Sequence, residues 1–112
     1  MKKTMNWVAA VTAGVVLAGY ALLSVPARAD NEGQATYKAK CAACHGADGK
    51  GQTGMGKAFK IRDLGSAEVQ KQSDEELSGI ISNGKGKMPA YKGKLTDAQI
   101  SDLVSYIRTL KK

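Results

Sequence analysis

Both cysteines of this chain and its only histidine lie within five residues, in the segment Cys41-Ala42-Ala43-Cys44-His45. Cys-x-x-Cys-His is the pattern at which haem is attached covalently to a polypeptide. Thiols three positions apart on a helical turn can both form thioethers at the vinyl edge of one porphyrin, and the adjacent imidazole can then bind the iron. The segment therefore predicts a site for one covalently attached haem.

Three other uses of the same residues remain open. A disulfide between Cys41 and Cys44 would suit an oxidising compartment, but it closes a very small loop and stabilises little. A thioredoxin-like redox pair would need strands alternating with helices, and no such pattern is present. A zinc site would use Cys41, Cys44 and His45 but lacks a fourth ligand from a second cysteine pair or another histidine.

The second axial ligand of a haem iron can be narrowed by elimination. With no other histidine, and with Met1 and Met5 near the amino terminus, the candidates are Met55 and Met88. Met55 follows His45 by only ten positions, whereas Met88 lies much further along the chain, after a predicted helix. Met88 also precedes a proline, which favours an extended backbone there. We therefore favour Met88; the alternative is a packing or surface methionine beside an open or lysine-bound iron.

Residues 1–29 have the pattern of an export leader. Two lysines precede a long apolar stretch, Ala27-Arg28-Ala29 follows, and the polar segment begins at Asp30. Small residues spaced in this way predict cleavage after Ala29. The apolar stretch is also long enough to span a bilayer, so an uncleaved amino-terminal anchor is the alternative. In both cases residues 30–112 form a domain outside the cytoplasm, which we predict to be periplasmic.

The domain that follows the leader is modestly basic and poor in large apolar side chains. The leader contributes three basic and no acidic side chains, so without it the net charge falls from +7 to +4. This smaller charge argues against nucleic-acid binding, which favours clustered basic residues together with stacking aromatic ones. Its large apolar or aromatic side chains number only eighteen, and eleven of its positions are glycine. A domain of this kind needs a cross-link, a metal or a cofactor.

Apolar periodicity and capping signals predict an all-α domain. Thr96 with Gln99, and Ser73 with Glu76, form capping boxes that open two helices. The first of these helices continues to about residue 110, and Asn83-Gly84 ends the second. We further predict a helix over about 31–43, a short helix within 64–70, and loops over 46–56 and 84–94.

Four segments of the chain resemble the small class I cytochromes c of bacteria. They are Cys41–Gly46, the glycine-rich loop after it, Met88-Pro89-Ala90-Tyr91, and the final Leu103–Arg108. The resemblance covers essentially the whole chain after the leader. It implies three to four helices packed around one covalently bound haem c. It also implies His45 and Met88 as the axial ligands of the iron, with thioethers at Cys41 and Cys44.

The resemblance also implies contacts around the haem. Gly33 and Tyr37 on the first helix are expected to pack against Tyr106 on the last, where glycine permits a close approach. Where many relatives have Gly-Pro, this chain has Gly56-Lys57, which puts in question the backbone carbonyl that accepts the proximal imidazole N–H. We expect these other residues near the haem: Phe59, Ile61, Leu64, Leu77, Ile80, Ile81, Tyr91, Leu95 and Leu103.

With both axial positions filled by protein, such an iron exchanges electrons without binding substrate, so we expect an electron carrier and not an enzyme. His/Met ligation favours a positive reduction potential. A haem subunit of a dehydrogenase or oxidase complex, a gas sensor with a labile Met88, and a haem-free zinc or disulfide module are the alternatives. We expect the protein to be a monomer and to be associated with the membrane only if the leader is retained.

Lysines on both sides of Met88, and two lysines on either side of Phe59 in the other loop, are candidates for a positive rim. Such a rim would steer the protein to acidic surfaces of redox partners; a merely solubilising surface is the alternative. The residues concerned are Lys57, Lys60, Lys85, Lys87, Lys92 and Lys94.

Overall fold

The computed structural model describes Gly14 and residues 25–112, with side chains from Asn31 onward. Six helices are described: α1 (Val25–Lys40), α2 (Ala42–His45), α3 (Gly54–Ala58), α4 (Ala67–Gln70), α5 (Asp74–Asn83) and α6 (Asp97–Thr109). Within residues 25–112 the only β-type pairings are two isolated bridges in the loop after α5. The prediction of an all-α domain is therefore confirmed.

Helices α5 and α6 begin where their capping signals predicted. At α6 both bonds of the capping box form: the Gln99 N–H donates to Thr96 Oγ1 at 3.1 Å and the Thr96 N–H to Gln99 Oε1 at 2.8 Å. At α5 the Ser73 hydroxyl accepts from the Glu76 N–H at 3.1 Å. The short helix α4 also lies within its predicted range.

The first helix differs from its prediction at both ends. It begins at Val25, where proline in the first turn is compatible with helical φ, and it ends at Lys40 because Cys41 adopts a φ of −117°. The Cys41 N–H still donates to the Tyr37 carbonyl at 2.8 Å, so α2 continues almost directly from α1. The predicted cleavage point after Ala29 falls inside α1 and stays a prediction, since most of the leader lies outside the described residues.

Helix α3 lies partly within a segment that was predicted to be a loop. Its cap is Thr53, whose hydroxyl accepts from the Gly56 N–H at 2.8 Å. Glycines at positions 54 and 56 conceal this helix in the sequence, because glycine is a poor helix former.

The first and last helices cross at a close contact that positions the rest of the core. A Cβ on Gly33 would lie 2.2 Å from the Asp102 carbonyl oxygen, so the two backbones approach as only glycine allows. The rings of Tyr37 and Tyr106 lie 5.0 Å apart beside this contact. The packing that the resemblance implied is confirmed. The buried apolar residues around it are Tyr37, Val69, Leu77, Ile81, Leu95, Ile100, Leu103, Val104 and Ile107.

Arg108 ties α6 to the connection between α4 and α5. Its guanidinium donates to the carbonyls of Gln70 (2.8 Å) and Gln72 (2.5 Å) and to Asp74 Oδ1 (2.8 Å). The Gln70 side-chain amide in turn donates to the carbonyls of Leu64 and Ile107. These bonds hold the irregular segment between residues 64 and 74 against α6. Across the part of the chain described, no helix is both long and apolar enough to cross a bilayer.

The helix crossing gives a direct test of the fold. We expect Gly33→Ala to lower the free energy of unfolding by about 1–3 kcal/mol, because the added methyl collides with backbone. Gly79→Ala is the matched control: this glycine is also helical, has nothing within 4 Å of its Cβ position, and its replacement should raise stability by about 0.5–1 kcal/mol. Denaturant unfolding of both variants measures the difference. Equal effects would contradict the close crossing.

Candidate cofactor site

The centre of the domain contains a cavity of about 560 Å³, a size typical of cofactor sites. Cys41, Cys44, His45 and Met88 all line it, although His45 and Met88 are far apart in the sequence. Of the apolar residues expected near the haem, all except Leu95 line the same cavity; Leu95 is buried elsewhere in the core. Tyr37, Val69 and Ile107 also contribute to the wall.

Backbone and side-chain hydrogen bonds fix the Cys-x-x-Cys-His segment at one side of the cavity. The Tyr37 hydroxyl donates to the Gly46 carbonyl at 2.6 Å, and the Thr53 hydroxyl donates to the Cys44 carbonyl at 2.6 Å. Burial raises the pKa of Tyr37 above its ordinary value, so its phenol keeps the proton that it donates. The Gly51 N–H donates to the His45 carbonyl at 2.7 Å. The segment is thus held from both sides, by α1 and by the glycine-rich loop.

The two cysteines are free thiols and partly buried. Burial, with a smaller contribution from the neighbouring Cys44 sulfur, raises the pKa of Cys41 to about 11. No group of three or more potential metal ligands is found among the described residues, so the zinc alternative has no cluster to support it. Both cysteines line the cavity, as thioether formation with one porphyrin requires.

His45 has an unpartnered polar atom. Its Nδ1 is buried and has no hydrogen-bond partner, and burial lowers its pKa, which favours the neutral imidazole that binds metals. The carbonyl of Lys57, where the resemblance raised the question of an acceptor, instead accepts from the Lys60 N–H at 3.4 Å. A half-buried imidazole in its neutral form, at the wall of a largely apolar cavity, fits an iron-binding residue.

The two candidate methionines have different environments. Met88 is half-buried, packs against the buried core and lines the cavity. Met55 does not line the cavity, is 49% exposed, and has its Sδ 3.8 Å from Cys44 Sγ on the outer side.

Several cationic side chains line the cavity, and they match the six predicted lysines only in part. Lys60, Lys85 and Lys87 line it, whereas Lys57, Lys92 and Lys94 do not. Two further cations, Lys40 and Arg62, also line the cavity and were not predicted. The Lys87 ammonium lies 5.9 Å from the centre of the exposed Phe59 ring.

Comparison with known proteins identifies the family. The family profile described as "Cytochrome C oxidase, cbb3-type, subunit III" matches residues 28–107. The chain is 40% identical over 75 residues to cytochrome c6 of Leptolyngbya boryana, covering 67% of this chain and 85% of that protein. It is 36% identical over 98 residues to cytochrome c6 of Nostoc sp., covering 87% and 86% respectively. The chain belongs to the cytochrome c family.

The fold of this cytochrome agrees with that of a solved relative. The KustC0563 c-type cytochrome superposes with a TM-score of 0.67 and 36% identity, over 71% of this chain and 98% of that one. The cytochrome is therefore a small class I protein with one covalently bound haem c, and it is an electron-transfer protein and not an enzyme.

Proposed function

We propose that this cytochrome is an exported, periplasmic one-electron carrier whose haem is held by thioethers to Cys41 and Cys44 and whose iron is bound by His45 and Met88. The observation that carries the proposal is that all four side chains line one cavity while Met55 lies outside it. When bound, the haem supplies an iron that changes between ferrous and ferric states by one electron.

The protein residues account for a carrier that does no other chemistry. With the haem bound, His45 and Met88 would both bind the iron, which would leave no open site for a substrate or oxygen. The thioether of Met88 is a soft ligand that favours the ferrous state and raises the reduction potential. The apolar wall excludes water and disfavours the additional charge of the ferric state, which shifts the potential in the same direction.

The cations at the cavity mouth support docking to acidic partners. Lys60, Lys85 and Lys87 line the cavity near the exposed Phe59 side chain. A positive surface of this kind attracts a negatively charged partner over a distance of about one Debye length, and an apolar centre then makes contact. We propose that electrons leave and enter at this face.

A second candidate function is the haem subunit of a larger oxidase complex. The description of the matching family profile favours it. Recovery of the native cytochrome from membranes only together with other subunits would support this function, whereas recovery as a free monomer supports the carrier.

A pair of methionine variants tests the ligand assignment. Met88→Ala should abolish the weak red absorption band that a sulfur–iron bond gives to ferric haem, and it should lower the midpoint potential, because the soft ligand is lost. Met55→Ala is the matched control and should keep both the band and the potential. Optical spectra and a potentiometric titration measure these properties. Loss of the band in Met55→Ala, or its survival in Met88→Ala, would show that the assignment is wrong.

Charge reversal tests the docking face. We expect Lys60→Glu/Lys87→Glu to slow oxidation of the ferrous cytochrome by ferricyanide at low ionic strength by about tenfold, because both cations line the cavity. Lys92→Glu/Lys94→Glu makes the same change in net charge away from the cavity and should slow it much less. Stopped-flow rates at low and high salt measure the effect, which salt should suppress. Equal slowing by the two pairs would contradict a docking face at the cavity.

A further inference from the structure

The loop that carries Met88 is bonded at both ends to the last turn of α5. At its start the Gly84 N–H donates to the Ile80 carbonyl at 2.8 Å. At its end the N–H groups of Tyr91 and Lys92 donate to the carbonyls of Ile81 and Ser82, each at 3.0 Å. The chain therefore leaves and rejoins the same helix end, and residues 84–92 form a closed loop with fixed ends.

Within this loop the backbone of Met88 is paired with that of Lys85. The Met88 N–H donates to the Lys85 carbonyl at 2.9 Å, and the Lys85 N–H donates to the Met88 carbonyl at 3.1 Å. Gly86 has a φ of +58° and Lys87 has no positive φ, which is the pattern of a type II′ turn, with glycine at its first central position. Both backbone polar groups of Met88 are thus used to hold it in one place.

Gly84 lies directly against the backbone on either side of the Met88–Pro89 bond. Its φ of 75° and ψ of 170° fall in a region that is essentially restricted to glycine. A Cβ there would lie 2.6 Å from the Met88 carbonyl oxygen, 2.9 Å from the Ala90 nitrogen and 3.0 Å from the Pro89 carbonyl carbon. All three are backbone atoms, so a side-chain rotation cannot relieve the contact.

We propose that Gly84 is a positioning residue for the distal iron ligand: by accepting this backbone conformation and this close contact, it sets the place of the Met88 thioether in the cavity. The inference rests on the ligation by Met88 proposed above. Gly86 contributes through the turn. The fraction of molecules in which Met88 leaves the iron is accordingly controlled by backbone restraint at two glycines that do not themselves bind it.

Binding of an added ligand to the ferric holoprotein measures that fraction. Imidazole must displace Met88, so its apparent affinity rises in proportion to the population with Met88 released. We expect Gly84→Ala to raise the apparent affinity for imidazole by about tenfold, which corresponds to about 1.4 kcal/mol, and to weaken the methionine-dependent ferric band. Gly86→Ala should act in the same direction.

Gly93→Ala is the matched control. Gly93 lies in the same predicted loop and also has a positive φ, +84°, but nothing lies within 4 Å of its Cβ position. The substitution therefore also places a side chain at a positive φ but brings no contact at Met88. We expect the ferric band to persist and imidazole affinity to stay within about twofold of the parent protein.

The outcomes separate this inference from the proposed function. If the parent protein lacks the methionine-dependent band, ligation by Met88 is wrong and the inference fails with it. If the parent has the band and Gly84→Ala binds imidazole no more tightly than Gly93→Ala, the inference alone is overturned. If Gly84→Ala yields no folded holoprotein, Gly86→Ala, which adds a methyl where nothing lies within 4 Å, decides: unchanged imidazole affinity overturns the proposal.

Discussion

The polypeptide does not fill its own centre. Its large apolar side chains surround a cavity of about 560 Å³ that Cys41, Cys44, His45 and Met88 also line. A covalently attached porphyrin would supply the apolar contacts that these side chains lack within the polypeptide. The thioethers that we propose at the two cysteines would keep that porphyrin from dissociating.

A helix crossing and several hydrogen bonds hold the walls of this cavity in place. The crossing of α1 and α6 at Gly33 fixes the back of the core. Tyr37 lies at that crossing and donates to the Gly46 carbonyl, which connects the core to the Cys-x-x-Cys-His segment. The loop around Met88 is tied to the end of α5. Arg108 donates to backbone carbonyls of the α4–α5 connection and so holds this connection against α6. The Tyr91 hydroxyl, at the end of the Met88 loop, also donates to the Lys40 carbonyl at 3.0 Å, so the segments that carry Met88 and His45 are tied to each other.

Much of this arrangement could be predicted from local sequence signals. The Cys-x-x-Cys-His segment predicts covalent haem, and capping residues at Ser73 and Thr96 locate α5 and α6, because each signal acts within a few residues. The choice of Met88 over Met55 as the iron ligand rests on chain length, the intervening helix and the following proline, and it stays a prediction. The structure has Met88, and not Met55, lining the cavity.

Features that depend on distant parts of the chain could not be predicted in this way. Helix α3 was not predicted because two of its residues are glycine. The end of α1 at Lys40 was not predicted because it depends on the φ angle of Cys41. Leu95 has the same apolar character as its neighbours but is buried away from the cavity. Lys40 and Arg62 have basic neighbours in the sequence just as the predicted lysines have, and only the folded chain shows which of these cations line the cavity.

The claim that the cofactor completes the core is tested most directly by amide hydrogen exchange with and without covalent attachment. The holoprotein is compared with Cys41→Ser/Cys44→Ser, which cannot form thioethers, and the amides followed are those of the buried residues Tyr37, Leu103 and Ile107. Our account predicts strong protection in the holoprotein and its loss at all three positions in the variant. Equal protection in both proteins would mean that the chain folds its core without the haem, and would contradict the account.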